Sequence, residues 1–340
     1  MKIEMLKTPV QTKIARSTLI RRRLYPLMLL LIYSAWFTVM FSGNHWHLFS
    51  RFWSVSATMT LGSFVAGATA EGGAAVAFPV FTKLLHIPAG DARTFGLMIQ
   101  AVGMTMAGVM IYSQRVNVLS HVIVWVSLGG ILGQIAGTYA FVIPAPYPKV
   151  LFTFVATSFG IAMIISRWLI KWSPRQELPG WNGRYRLLFF TVGVFGGAFA
   201  AQTGSGIDML TFVVLTLMFG INEKLSTPTT VIIMGLNSIV GFFLHGVVSQ
   251  DIGIAWSYWL VAVPIVIVGA PLGAFVATKI NRDGIIKFLL FLIGLELVTT
   301  LWLVPFTTTA QIVITGTAVF LFALLFWGML IFRKRHVKNE

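Results

Sequence analysis

Residues 55–85 read VSATMTLGSFVAGATAEGGAAVAFPVFTKLL, and residues 187–219 read LLFFTVGVFGGAFAAQTGSGIDMLTFVVLTLMF. Both are apolar over more than thirty residues, yet each is interrupted near its middle by small residues: Thr69-Ala-Glu-Gly-Gly73 in the first and Thr203-Gly-Ser-Gly-Ile207 in the second. A helix that crosses the hydrocarbon needs about 20 mostly apolar residues. Each half has about 13 to 17, or roughly 20–25 Å at 1.5 Å per residue. That is short for a crossing and suits a re-entrant hairpin whose tip stops near mid-bilayer.

The remainder of the chain agrees with a membrane setting. Hydrophobic residues make up 57% of the 340 and charged residues 10%, against roughly 25% charged in an ordinary globular domain. Mean hydropathy is +0.85. With no cysteine, disulfide scaffolds, thiolate metal sites and thiol catalysis are excluded. Apolar segments long enough to cross lie at 24–41, 94–112, 118–142, 150–166, 229–248, 252–278, 284–304 and 310–332. The expected fold is an all-α polytopic membrane protein of about eight transmembrane helices plus two broken, re-entrant hairpins. A basic segment, 1–23, precedes a single transmembrane domain, 24–332, and a tail, 333–340, follows it. A basic stretch before an apolar one also describes a signal peptide. This apolar part is long for that role and no small-x-small cleavage site follows it, so it reads as a retained first helix.

The formal net charge is +15. In a soluble protein that would suggest nucleic acid, but here the basic residues sit in short patches between apolar runs, so no nucleic-acid partner is expected. With eight crossings and two hairpins, every Lys and Arg except Arg51, Lys83, Arg93 and Lys149 falls on one face. Letting both broken stretches cross exports Arg167, Lys171, Arg175, Arg184 and Arg186 and weakens that bias. The positive-inside rule therefore favours hairpins, with both termini cytoplasmic.

The chain also repeats. Laying 62–99 over 196–233, an offset of 134, gives nine identities in 38 positions, where composition alone gives roughly three. Gly62/Gly196, Thr69/Thr203, Gly72/Gly206, Phe78/Phe212 and Ile87/Ile221 are among them. Each repeat, about 55–166 and 187–304, is one hairpin plus three crossings. Three is odd, so the second copy is inverted, and the hairpins enter from opposite faces. Paired broken helices in inverted repeats point to a transporter's midplane site.

In the duplicated Gly-rich break, in Ala-Glu-Gly-Gly-Ala-Ala-Val-Ala-Phe-Pro (70–79) and in Ile221-Asn-Glu-Lys-Leu-Ser-Thr-Pro228, the chain resembles the sulfite exporter TauE/SafE family of bacterial anion permeases. The resemblance runs from about Val55 to Val304. It implies a permease for sulfite, sulfonates or related small organic anions in the bacterial inner membrane. Glu71 stands where the family usually has another glycine, and Ile207-Asp208 and Val213 replace its usual Gly-Gly and proline.

Glycine-broken hairpins suit an anion for a physical reason. The first turn of a helix has N–H groups without intrahelical partners, and the macrodipole adds about half a positive charge there. Glycine lets a ligand approach that backbone closely. The candidate cradle comprises Thr69, Ala70, Glu71, Gly72 and Gly73 at one tip and Gln202, Thr203, Gly204, Ser205 and Gly206 at the other, with Gln100 and Asn237 on neighbouring helices. The bland alternatives stay open: glycines that only permit close packing, hydroxyls that only cap helices, and amides that only bond adjacent helices. Three carboxylates lie in apolar stretches, and intramembrane ionisable groups are functional by default. Glu71 would repel an anion in its own cradle, so it is expected to be protonated when substrate binds, which couples transport to protons. Asp208 is its counterpart, and Glu296 reads as a helix–helix contact. The six histidines are scattered, so no metal or other cofactor is expected. The leading function is a secondary transporter for a small sulfur-containing or carboxylic anion, with lipid around it and a homodimer as the one expected protein partner. A passive anion channel is the alternative. Enzyme chemistry is not expected, although Gly204-Ser205-Gly206 superficially resembles an intramembrane serine site.

Overall fold

The computed structural model describes residues 9–69, 77, 80–140, 143–144, 147–165, 168, 173–303 and 309–337. Among these, regular structure is helical: α1 Pro9–Ser42, α2 His47–Arg51, α3 Trp53–Ala68, α4 Ala89–Ser113, α5 Ser120–Tyr139 and α6 Tyr147–Ile164. There follow α7 Gly183–Thr203, α8 Ile207–Val213, α9 Glu223–Phe243, α10 Ala255–Lys279, α11 Arg282–Leu303 and α12 Thr309–Val337. Wider π-helical turns occupy Val80–Leu84, Val214–Met218 and Leu244–Val248. Each of the eight apolar segments carries a long helix over its described residues, which makes the chain an all-α integral membrane protein.

Both broken stretches fold back on themselves. α7 ends at Thr203, and after three residues α8 runs back beside it. The Phe219 ring, just past the second π turn, is 5.2 Å from Tyr185 and 5.7 Å from Phe189 in the first turns of α7. The chain therefore leaves by the face it entered. In the first hairpin Ala77 packs on Gly62 of α3, and the Phe81 ring lies 4.9 Å from that of Phe95 of α4, tilted against it. One expectation needs correction. The incoming half of the second hairpin is 21 residues, not 13 to 17, because the helix starts upstream of the apolar run. Asn182 caps it by accepting from the Tyr185 N–H at 3.0 Å, and Arg184 and Arg186 fill its first turn.

The faces follow from the ends. Arg21 of α1 lies 4.4 Å from the ring of Tyr112, at the end of α4, which defines an N-terminal face. Arg186 lies 5.9 Å from Trp125, near the start of α5, so α7 starts on that face as well. α3 starts on the other, beside Tyr258 of α10 through Phe52 at 5.0 Å. The hairpins thus enter from opposite sides.

The helix packing repeats the inversion. α7 lies along α5, and its counterpart α3 lies along the counterpart helix α10. α4 and α9, themselves equivalent, pack together at the centre. Small residues make these contacts close. A Cβ on Gly133 or Gly137 of α5 would stand 2.0 or 2.6 Å from the Val194 or Ala198 carbonyl oxygen of α7. On Gly269 or Gly273 of α10 it would stand 2.0 Å from the Ser63 hydroxyl or the Phe64 carbonyl of α3. Both π turns of the hairpins, at 80–84 and 214–218, also fall at the offset of 134.

α1 is an added helix clamped to α10 by chemistry that two prolines create. A proline inside a helix leaves the carbonyl four residues earlier without its partner. Pro264 frees Leu260, whose carbonyl accepts from Trp36 Nε1 at 2.7 Å. Pro271 frees Ile267, whose carbonyl lies 3.5 Å from the Tyr25 hydroxyl. In lipid such satisfaction by a neighbouring helix is what lets a membrane helix keep its prolines.

Candidate functional site

The second turn is fully described. α7 ends with Gly204 in the left-handed region (φ +81°), and Gly206 has φ +135°. A side chain on Gly204 would also meet the Arg93 carbonyl at 2.9 Å. Only glycine fits both the conformation and the approach. The Gly204 carbonyl accepts from Gln100 Nε2 at 2.7 Å, halfway along α4. Thr203 Oγ1 donates to the Phe199 carbonyl at 3.0 Å and also contacts the Ser205 carbonyl.

Asp208 occupies the start of the outgoing half-helix and is fully buried. Its Oδ1 accepts from the Gly206 N–H at 3.0 Å and from Ser205 Oγ at 3.4 Å. The carboxylate thus satisfies part of the positive helix end from within. Its Oδ2 makes no well-aligned hydrogen bond among the described residues, although the Met209 and Asp208 backbone N–H groups also act on the carboxylate.

Depth can be read against α5. Ile207, the first residue of α8, touches Gly130, halfway along that helix. Gln202 reaches further: its Nε2 donates to the Gly137 carbonyl in the last turn of α5, and its Oε1 accepts from the Ile143 N–H, just past that helix, at 2.9 Å. The incoming helix therefore overshoots the level at which the outgoing one starts. At that starting level Asn237 of α9 donates to Gln134 Oε1 at 3.0 Å. Asn237 Oδ1, Gln134 Nε2 and Gln100 Oε1 remain without partners among the described residues. Buried polar atoms in native proteins are nearly all bonded, so a cluster left open calls for an explanation.

Between the hairpins is a cavity of about 20 Å³, lined by Ala77 and Phe81 of the first, Thr203 and Gly204 of the second, and Gly96 and Gln100 of α4. That is room for about one water. A larger cavity of about 520 Å³ between α7, α8 and α12 is lined almost wholly by apolar side chains and offers an anion nothing.

Of the expected site residues, Thr203, Gly204, Ser205, Gly206, Asp208 and Gln100 converge on the second turn. Asn237 lies beside the start of α8, and Gln202 ties α7 to α5. Thr69 is buried with its hydroxyl donating to the Val65 carbonyl at 3.0 Å. Ala70, Glu71, Gly72 and Gly73 lie outside the described residues. Four features escaped sequence reading. Gln134 pairs with Asn237; a polar residue in the Gly-rich run 129–137 was its signal. Arg93, assigned to an outer loop, runs its backbone against Gly204. Lys83, assigned to the same outer face, is 7% exposed and paired with Glu296. Finally, His245 Nδ1 lies 2.8 Å from Asp251 Oδ1, an adjacent His–Asp pair that sequence spacing did not suggest.

A family model described as Sulfite exporter TauE/SafE matches residues 55–303. No curated protein and no solved structure matches the chain.

Proposed function

This chain belongs to the sulfite exporter TauE/SafE family of membrane transporters, and on that premise we propose that it is a secondary carrier for a small sulfur-containing or carboxylic anion. The substrate binds between the two turns: Thr69 to Gly73 on one side, Gln202 to Gly206 on the other, with Gln100 and Asn237 beside them. Access alternates by rocking of the inverted halves. Glu71 and Asp208 carry the coupling protons. The protein sits in the bacterial inner membrane with both termini cytoplasmic, and a homodimer is its expected assembly.

The observation that carries this reading is the buried polar cluster at the start of α8, where the Gln134 Nε2 donor, near the Asp208 carboxylate, has no partner among the described residues. A helix start attracts an anion, and a protonated Asp208 together with the Gln134 amide supplies donors there.

Thermal-shift screening of the purified protein against sulfite, thiosulfate, sulfoacetate, taurine and simple carboxylates tests it. A true ligand stabilises by mass action, about 2.7 kcal/mol at a hundred times its Kd. Stabilisation by one of these anions supports the reading. Stabilisation by cations or neutral sugars alone would sink it.

A further inference from the structure

The return arm of the first hairpin ends in a buried ion pair that the reading above leaves unused. Lys83 Nζ lies 3.4 and 3.5 Å from the two Glu296 carboxylate oxygens and donates to Thr299 and Thr300 Oγ1 at 3.1 and 2.8 Å. Glu296, on α11, is 4% exposed. It also accepts from Thr153 of α6 at 2.8 Å and from Thr300 at 3.2 Å. One cluster thus joins the arm to α6 and α11. It lies about 10 Å inside the end of α11, counting seven residues from Leu303.

The charges around Glu296 are few. Among the described residues only Lys83 acts on it electrostatically. Among the described side chains, α6 contributes the Thr153 hydroxyl and its own helix the Thr300 hydroxyl. Lys287 of α11 and Glu223 of α9 stand toward the opposite, N-terminal face. The basic residues of α12, Arg333 to Arg335, cluster at its C-terminal end, where Arg333 donates to the Thr216 carbonyl at 3.1 Å. Thr216 belongs to the second π turn, where Leu217 takes the place equivalent to Lys83. The ion pair is therefore a property of one repeat only.

What does such a pair add? Exchanging a buried ion pair for apolar side chains of similar volume is often neutral or stabilising, whereas removing one partner is strongly destabilising. Tighter packing is thus not its distinctive contribution; its distinctive contribution is a dependence on protons. If the arm lifts from α11, Lys83 can carry its ammonium to water on its long stem. Glu296 stays between α6 and α11, where a lone carboxylate takes up a proton in preference to keeping its charge. We propose that Glu296, when released by Lys83, is a proton-binding site whose occupancy is linked to lifting of the Val80–Leu84 arm from α11. Opening converts the carboxylate and a hydronium ion into carboxylic acid and water; closing returns the proton. By linkage, acid on the side from which this hairpin enters favours the open arm. This deepens the carrier reading, since it adds a further proton site to Glu71 and Asp208, but its test does not depend on that reading.

The chain's lack of cysteine makes the test direct. Ala77→Cys places a thiol on the arm, against the cavity between the hairpins. Its rate of modification by a maleimide in nanodiscs, divided by that of an exposed Ser50→Cys control, reports opening free of thiol ionisation. The ratio should rise on acidification from pH 8 to 5.5, by up to about tenfold per pH unit for one linked proton, and should be flat in the Lys83→Met/Glu296→Gln background. Ala92→Cys, on α4 beside the same cavity, serves if Ala77→Cys does not fold. The same pH profile in both backgrounds, or a flat ratio in both, overturns the proposal. Sulfite flux measured alongside separates the two readings: proton-linked labelling without flux sinks the carrier and leaves this site standing.

Discussion

Trp36 donates its indole N–H, at 2.7 Å, to the Leu260 carbonyl that Pro264 leaves without a helical partner. A helix outside the family region thereby repairs a defect in a helix at the heart of the second repeat. Trp36→Phe keeps most of the packing and leaves that buried carbonyl orphaned, at a cost of about 1–3 kcal/mol. Restoring the backbone donor with Pro264→Ala should recover most of the loss. Thermal unfolding of the two single variants and the double variant in detergent checks this. Additive losses would show that the bond does not depend on the proline.

The glycine contacts give a second expectation. Gly133→Leu forces a side chain into the Val194 carbonyl of α7, and Gly273→Leu does the same against Phe64 of α3. Both should abolish folded, monodisperse protein, because backbones at that distance cannot admit a Cβ without separating. Gly294→Leu on α11, where nothing lies within 4 Å, should purify like the parent. Size-exclusion chromatography distinguishes them.

Asp208 bears on the proposed site. Its charge opposes an anion at the start of α8, so anion affinity should rise as pH falls and Asp208 becomes protonated. Asp208→Asn keeps an acceptor for the Gly206 N–H but removes the charge. Sulfite affinity in this variant should be higher at neutral pH than in the parent and nearly independent of pH, as isothermal titration can measure. An affinity in Asp208→Asn that still rises with acid, as in the parent, would assign the pH dependence elsewhere.

Much of this architecture was legible in the sequence because lipid imposes simple rules. Length and hydropathy locate the crossings, and the basic bias separates hairpins from spans. The 134-residue offset reappears in the helices as paired π turns at Val80–Leu84 and Val214–Met218. What escaped was whatever depends on how far an element reaches. Lys83 looked like an outer-face residue because it lies near the end of the apolar run 55–85, yet its long side chain turns inward to Glu296. Arg93 looked peripheral because nothing in its own segment shows that Gly204 comes up against it. The length of α7 was underestimated because Arg184 and Arg186 read as loop, although a helix start at the membrane surface holds them readily.

The most direct test of the account is sulfite counterflow. Purified protein is reconstituted into liposomes loaded with unlabelled sulfite, and uptake of external labelled sulfite is followed without any pH gradient. A carrier that closes around an anion between its hairpins gives saturable uptake, faster into loaded than into empty vesicles, and loses it with Gly204→Val. Uptake that neither saturates nor responds to internal sulfite, or that survives Gly204→Val intact, would contradict the account.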